Sequence, residues 1–322
     1  MINFRYHVVS IIAVFLALGI GIIMGTSVID RAVVDRLERQ QSTLNKAVNE
    51  VRSENNRLRS ALKDERDAAR ALADQASQRL FDGALQGVPV VAVGVRGVQT
   101  NGVDAFVALL GRAQADYRGT YWLTDRFALH DQSEVQDLAE ALSFRPDASV
   151  GTLRSAALTR VALALRPPID TPPADPNLSV LAVLRDKGFL DYDPPEGLDG
   201  KVLPTLAVGT RLVVVSGPGA VVADRQLMVP LVRVLLSARP DHGPVPVLAV
   251  TGTPPATPEE DTFIGPIRTD RALTDRLSTV DDLDEFSGQV AAVLAIGDLG
   301  HGRFGHYGRG EGAQRLLPAP AE

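Results

Sequence analysis

The chain of 322 residues is long enough for one large domain or two small ones, and its 33 basic and 39 acidic residues give a net charge of −6. This acidic balance does not favour a general nucleic-acid or anionic-lipid role. Cysteine is absent, which excludes a disulfide scaffold, a thiolate metal site and a cysteine nucleophile.

An apolar segment opens the chain, with no charged residue from Val8 to Ile29. An α-helix rises about 1.5 Å per residue, so this segment can cross a hydrocarbon core about 30 Å thick. A cleavable signal peptide would have a shorter apolar region, of about 7–15 residues, before a small-x-small site such as Gly25-Thr26-Ser27. The length favours an uncleaved anchor over residues 1–29. Because the N-terminal tail is very short, we expect the bulk of the chain to lie outside the cytoplasm.

Small residues recur at every fourth position of this segment, at Ala13, Ala17, Gly21 and Gly25. They fall on one helix face, which allows two helices to approach closely in lipid. Small residues are also common in membrane helices, so the spacing alone can arise by chance.

A heptad pattern occupies residues 30–82, in a segment without Gly or Pro. Mostly apolar a and d positions through five heptads are typical of a coiled coil. Asn55 at a central a position pairs best with the same amide of a parallel partner, and Glu54 at g can reach Arg59 at e of that partner. The alternative, a helix packed on its own globular domain, is disfavoured by the polar b, c and f positions. The sequence therefore predicts a parallel homodimer, with an interface formed by Ala13, Ala17, Gly21, Gly25, Val34, Leu37, Leu44, Val48, Val51, Asn55, Leu58 and Leu62.

Residues 83–312 alternate strand-like and helix-like patterns, which predicts a mostly parallel, Rossmann-like α/β domain. Residues 313–322 are predicted to be a disordered tail. The Pro-rich stretches Arg166–Pro176 and Thr253–Pro258 are predicted to be surface connections. The predicted strands are Val88–Val95, Tyr117–Thr124, Arg211–Ser216 and Val245–Thr251. The predicted helices are Val103–Ala115, Ser133–Leu142, Ser149–Leu165, Leu178–Leu190, Asp224–Arg239 and Asp282–Leu299.

Two glycine-rich segments follow predicted strands, Gly94-Val95-Arg96-Gly97 and Ser216-Gly217-Pro218-Gly219. Ligands of open α/β sheets bind at the carboxyl ends of strands, often on such turns. Neither segment has the spacing of a dinucleotide or P-loop fingerprint. Glycines required by tight turns are the favoured interpretation.

An acidic cluster, made of Asp281, Asp282, Asp284 and Glu285, precedes the last predicted helix. Its spacing is not that of an EF-hand loop. Capping and the macrodipole of that helix explain these acids better than cation binding does.

Two histidines, His301 and His306, lie in a glycine-rich segment near the end of the chain. Imidazoles on a flexible loop can coordinate copper, so both are candidate metal ligands. The ligand set is incomplete, because the chain has no cysteine and only three methionines. No catalytic constellation is present, and we do not expect an enzyme.

Several segments resemble the MctB family of actinobacterial copper transporters. They are Phe4–Gly21, Ser278-Thr279-Val280-Asp281, Gly288-Gln289-Val290-Ala291 and His306-Tyr307-Gly308. The resemblance covers nearly the whole chain and implies copper efflux and homeostasis, with a copper ion handled by the protein. It also implies a channel role proposed for the family in the mycobacterial outer membrane.

The sequence leaves a second function open. One membrane helix does not make an obvious ion pore, and βα alternation is not the pattern of a barrel channel, so an outer-membrane placement is not favoured. The alternative is a dimeric envelope scaffold that binds membrane lipid through its anchor and recruits cell-wall or division proteins through its coiled coil and α/β head. No nucleic-acid partner is expected.

Overall fold

The computed structural model describes residues 4–80, 83–145, 147–166, 178–201, 203–204, 206–237, 245–252 and 262–319. The chain divides into two compact units, residues 1–72 and residues 73–322.

The first unit is part of a single helix, α1, which runs from Phe4 to Leu80 over 77 residues. Its segment Arg5–Gly25 has a mean hydropathy of 2.7 and is long and apolar enough to cross a membrane; no other helix in the described ranges meets both conditions. The prediction of one N-terminal apolar helix is confirmed.

The a and d side chains of α1 form an exposed apolar stripe. Leu44 and Val51 are 63% and 68% exposed, and Leu37, Val48 and Leu58 are also exposed. Asn55, Ala13, Ala17 and Gly21 are exposed as well, and Gly25 is partly buried. The side chains of Val34 and Leu62 lie outside the described residues. The coiled coil and the dimer stay predictions.

The second unit contains a seven-stranded sheet in the order β3-β2-β1-β4-β5-β6-β7. All neighbouring strands are parallel except β3, which pairs antiparallel with β2. The predicted mostly parallel α/β fold is confirmed. The strands are β1 Pro89–Val95, β2 Asp116–Leu123, β3 Leu190–Asp193, β4 Arg211–Val215, β5 Val247–Val250, β6 Ser278–Val280 and β7 His306–Tyr307.

Eight further helices and one 3-10 turn, Asp125–Ala128, are described in this unit. Side-chain N-caps begin three of the described helices: Asp131 accepts a hydrogen bond from the Glu134 N–H at 2.9 Å, Ser149 accepts one from the Thr152 N–H at 3.2 Å, and Asp270 accepts one from the Ala272 N–H at 3.0 Å. The helices are α2 Asn101–Arg112, α3 Gln132–Ala141, α4 Val150–Leu165, α5 Leu178–Asp186, α6 Met228–Leu236, α7 Ile264–Thr269, α8 Arg271–Thr274 and α9 Phe286–Leu299.

The sheet separates two apolar cores. Successive strand residues point to opposite faces, so Val213 belongs to one core and Val214 to the other. Helices α2 and α9 cover the Val213 face, while α3 to α7 cover the Val214 face. Burial on both faces explains why the central strands are continuous apolar runs.

Three predicted helices differ from the structure by four residues at one end, and the other three by smaller amounts. The helix predicted over Leu178–Leu190 ends at Asp186, because Gly188 adopts a left-handed φ of +75° and the chain then enters β3. The helix predicted from Asp224 begins at Met228, since the buried Asp224 carboxylate is held in the preceding turn by Ser216. The helix predicted from Asp282 begins at Phe286. The Pro-rich predictions over 167–176 and 253–258 lie outside the described residues.

The segment predicted to be a disordered tail begins with residues that contact the sheet. The Gln314 N–H donates to the His306 carbonyl at 2.8 Å, and the Gly308 N–H donates to the Arg315 carbonyl at 3.0 Å. Arg315 also forms a bridge with Tyr307 of β7. Residues 320–322 of this segment lie outside the described residues.

Candidate functional site

The direction of the chain reverses between β1 and β4. From β1 the chain passes through α2 to β2 on one side, and from β4 it passes through α6 to β5 on the other. In open parallel sheets such a switch point opens a crevice at the carboxyl ends of the strands, where ligands bind. The two glycine-rich segments noted in the sequence both end here.

The loops after β1 and β4 contact each other across this crevice. The Val221 N–H donates to the Arg96 carbonyl at 2.9 Å. A Cβ on Gly97, whose φ is +91°, would overlap the carbonyl oxygen of Gly219, and a Cβ on Gly219 would lie 2.6 Å from the Gly97 carbonyl oxygen. The glycines are therefore required by this close approach and by turn geometry, as the sequence indicated.

A cavity of about 190 Å³ lies at the switch point. We call it the switch-point cavity. It is lined by Val215 at the end of β4, by residues that follow β1, β4, β5 and β6, and by Val103 of α2. Its polar side chains are Gln99, Ser216, Thr251 and Asp284.

The charge at the cavity does not suit a phosphate. A Cβ on Gly102, in the first turn of α2, would lie 2.5 Å from Asp284 Oδ1. The carboxylate thus lies at the positive end of the helix, where a nucleotide phosphate would otherwise bind. Two negative groups at one helix end repel each other, so this position disfavours the phosphates of a dinucleotide.

The Ser216 hydroxyl is bonded to a buried carboxylate, that of Asp224. Asp224 is 1% exposed, and its carboxylate accepts hydrogen bonds from the Ser216 hydroxyl and, at 2.6 Å, from the Thr262 hydroxyl. These bonds fix the turn that leads into α6. We assign Asp224 a structural role.

The acidic cluster before α9 does not cap that helix. Glu285 occupies the N-cap position without a side-chain capping hydrogen bond, and the first turn of α9 contains no acid. The capping part of the prediction is therefore wrong. Asp282 nevertheless lies beside the first turn of α9, where its carboxylate accepts a hydrogen bond from the Ser287 hydroxyl at 3.4 Å, so the contribution of the macrodipole stays a prediction. Burial, followed by the neighbouring Asp281 charge, raises the pKa of Asp282.

Asp281 and Arg268 form a buried ion pair at 2.5 Å. The Arg268 guanidinium also donates to Thr279 Oγ1 at 2.9 Å and to the carbonyls of Tyr307 and Glu311 at 2.8 and 3.0 Å. We call this group the Arg268 cluster. It joins α7, β6, β7 and the loop after β7.

Asp281 binds the same loop from the other side. Its carboxylate accepts the N–H groups of Arg309 and Gly310 at 2.8 and 2.9 Å. Gly308, with φ +123°, has no room for a Cβ beside this carboxylate. The segments Ser278–Asp281 and His306–Gly308, which carry the family resemblance, are therefore adjacent and hold the end of the domain together.

The two candidate metal ligands have different surroundings. His306 is 5% exposed, in β7, and its Nδ1 lies 3.0 Å from Thr279 Oγ1. The Arg268 guanidinium can only donate to the Thr279 hydroxyl, so the hydroxyl can donate its own proton to His306 Nδ1. The His306 ring also forms a hydrogen bond with the backbone of Thr274. His301 is exposed after α9, with Nδ1 3.2 Å from the Gly297 carbonyl. Across the described ranges, no group of three or more His, Cys, Asp or Glu side chains could hold a metal ion.

Sequence reasoning missed Arg268, Thr251 and Asp224. Arg268 lies in a six-residue helix that has too few turns to show a period. Thr251 directly follows β5, and the position of a polar residue just after a buried strand was the signal that could have found it. Asp224 lies in the turn before α6, well after the end of β4, where that signal does not apply.

The fold and its first helix define a class: an α/β domain whose chain begins with one helix able to cross a membrane. The family described as "Copper transport outer membrane protein, MctB" matches residues 1–318. The chain belongs to this family.

Curated relatives agree over the full length. "Copper transporter MctB" of Mycobacterium tuberculosis is 27% identical over 329 residues, covering 98% of this chain and 99% of the relative. The protein of the same name from Mycobacterium leprae is 25% identical over 331 residues, with 98% and 99% coverage. The Mycobacterium bovis protein matches at 27% identity over 329 residues.

Proposed function

We propose that this protein takes part in copper transport as a membrane-anchored protein whose α/β domain lies outside the cytoplasm, with copper as its cargo. The observation that supports this best is the family match over residues 1–318, which includes both the apolar helix and the whole sheet.

The form of copper handling follows from the side chains. The sequence contains no cysteine and three methionines, so a thiolate or methionine-rich copper site cannot be built. His306 is engaged in the Arg268 cluster, which leaves His301 as the accessible one of the two candidate ligands. These properties favour a protein that contacts copper transiently, or that assists a transport assembly, over one that stores the ion tightly.

The experiment is deletion of the gene in its own host, followed by measurement of cell copper and of growth in copper. We expect the deletion strain to accumulate copper and to become more sensitive to it, and the full chain supplied in trans to restore both. Unchanged copper content and tolerance would contradict the proposal. Zinc tolerance, measured in parallel, controls for general envelope damage.

An envelope scaffold is the second candidate, supported by the exposed apolar stripe of α1. Leu37, Leu44, Val48, Val51 and Leu58 are all exposed, and burial of such side chains stabilises association. In this proposal, the apolar stripe packs against the same stripe of a second copy of the chain in a parallel dimer. A cell-wall or division protein would then bind the polar faces of the paired helices or the α/β domain.

Affinity capture separates the scaffold from the transporter. Full-length tagged protein should recover a cell-envelope protein, and the same bait with Val48→Lys and Val51→Lys should lose it if paired helices are needed. Glu50→Lys, on the polar face between them, is the matched control. Failure to recover any envelope protein with the unaltered bait would count against the scaffold.

A further inference from the structure

A hydroxyl group is left unsatisfied inside the switch-point cavity. Thr251 is 2% exposed and lines the cavity, yet its Oγ1 has no hydrogen-bond partner within the described part of the chain. The Thr251 backbone is bonded on both sides, to the Val280 carbonyl and to the Leu283 N–H, at 3.0 Å each. A buried hydroxyl without a partner costs about 1–3 kcal/mol, so a ligand that supplies the missing hydrogen bond is favoured.

Glycines make room for the polar groups of the cavity. A Cβ on Gly217 would overlap Thr251 Oγ1, and a Cβ on Gly252 would lie 2.7 Å from Asp284 Oδ2. A Cβ on Gly102 would meet the other oxygen of the same carboxylate. Three segments, after β4, after β5 and at the start of α2, thus admit these two side chains to the cavity wall.

The charge of the wall selects the sign of a ligand. Asp284 is the one charged residue among those that line the cavity in the described structure. Its carboxylate occupies the N-terminus of α2, the place where an anion would otherwise bind, and its negative charge attracts a cationic group from the cavity side, against the weaker positive end of the helix dipole. A metal ion is not favoured, since the described residues offer no group of three His, Cys, Asp or Glu side chains.

The volume of the cavity and its apolar lining indicate the size and polarity of the rest of the ligand. The volume of about 190 Å³ is slightly larger than the roughly 150 Å³ of an apolar cavity that accepts benzene. Val103, Val215 and Leu283 supply apolar wall beside the polar groups. The ligand should therefore be compact and partly apolar, with one cationic end.

We propose that the switch-point cavity binds a small primary ammonium compound. Its ammonium group donates hydrogen bonds to the Asp284 carboxylate and to Thr251 Oγ1, and its apolar body lies against Val103, Val215 and Leu283. This site is independent of copper transport: the cavity residues include neither His301 nor His306.

The test uses n-butylamine as the probe, with full-length protein in detergent micelles and ligand-observed NMR titration. We expect saturable binding of butylammonium and none of butyrate, which has the same chain length and the opposite charge. Empty micelles give the background. No saturable binding of butylamine, or equal binding of butyrate, would overturn the proposal.

Isosteric variants locate the site. Asp284→Asn removes the negative charge and should weaken butylamine binding by about tenfold or more. Thr251→Val removes the hydroxyl group that accepts a hydrogen bond and should weaken binding by about threefold to tenfold. Asp186→Asn, at a side chain that is 75% exposed and outside the cavity, should leave the dissociation constant unchanged. An Asp284→Asn protein that binds as the unaltered chain does would overturn the site.

A rim variant covers the case in which a buried substitution unfolds the domain. Gln99 lines the cavity and is exposed, so Gln99→Lys leaves the core intact and adds a positive charge at the entrance. We expect it to weaken butylamine binding by about tenfold and Gln99→Glu to strengthen it. Equal affinity of the Lys and Glu variants would contradict an electrostatically selected ammonium ligand.

Discussion

Arg268 connects several segments at the end of the α/β domain. Its guanidinium is 3% exposed, paired with Asp281 and bonded to three further oxygens in β6, in β7 and in the loop after β7. Removing one member of a buried ion pair leaves the other charge uncompensated, which typically costs about 3–5 kcal/mol.

We predict that Arg268→Met lowers the free energy of unfolding of the domain by about 3–5 kcal/mol, measured by urea titration. Arg233→Met is the matched control, because Arg233 pairs with Asp270 at 3.0 Å but is 56% exposed. Exposed pairs contribute about 0–1 kcal/mol, so the control should change stability little. Equal losses in the two variants would contradict the role of the buried pair.

His306 makes the stability of this region depend on pH. Burial, and then the positive charge of Arg268, lower its pKa below the ordinary value of 6.5, while a bond to Thr274 and the charge of Asp275 oppose the shift. As pH falls below 6.5, the unfolded chain takes up a proton that the folded chain does not bind, so stability falls. Above that pH the contribution is fully present.

We therefore predict that the free energy of unfolding decreases between pH 7.5 and pH 5.5, and decreases less in His306→Gln. His301→Gln, at an exposed ring, should keep the slope of the unaltered protein. Urea titrations at both pH values measure the slope. If His306→Gln retains the whole slope, His306 is not the titrating group.

At the scale of elements, the sequence predicted the helices and strands whose hydrophobic pattern is long or pronounced. Helix α1 follows from 77 residues without an internal break, and β1 and β4 follow from apolar runs buried on both faces. Strands β6 and β7 were missed, because three and two residues cannot display alternation. The start of α9 was misplaced since its preceding acids satisfy groups distant in sequence, such as Arg268.

The paired-helix hypothesis is tested on α1 itself. The chain has no cysteine, so a single introduced thiol is the one site available for oxidation. Val48→Cys and Leu58→Cys should each join two full-length chains in a parallel, in-register dimer. Ser53→Cys, on the outer face at position f, should not. Absence of crosslinks at both seam positions would contradict the dimer.

Asn55 gives that hypothesis a second test. Asn55→Leu removes the polar residue that specifies a parallel pair, so helicity should be kept while the oligomeric state broadens beyond the dimer. Circular dichroism measures the helicity, and sedimentation in detergent measures the oligomeric state. A strictly dimeric Asn55→Leu protein would mean that Asn55 does not set the number of chains.

At the scale of the whole molecule, the orientation across the membrane is testable with the same cysteine-free background. Asp186→Cys places a thiol at an exposed position of the α/β domain, and Asn3→Cys places one before the apolar segment. A membrane-impermeant maleimide added to intact cells should label the first and reach the second only after lysis. The reverse pattern would contradict an extracytoplasmic domain.

The candidate site shows which parts of the molecule the sequence could not supply. Both glycine-rich loops were identified as strand-end turns, and both lie at the switch point. The partners Thr251 and Asp284 follow β5 and β6 and reach the cavity only through the strand order. Local pattern specifies turns, whereas a cavity depends on which strands become neighbours.

The two edges of the sheet have a consequence for a protein held at a surface. Strand β3 has four residues, and its Asp191 and Asp193 carboxylates bind Arg96 at 3.0 and 3.2 Å; strand β7, at the other edge, has two residues. Short or charged edges resist strand pairing between molecules. Lateral diffusion in a plane brings anchored copies together far more often than diffusion in bulk solution does. For the membrane-anchored form that we propose, such edges would oppose pairing of sheets between crowded copies of the domain.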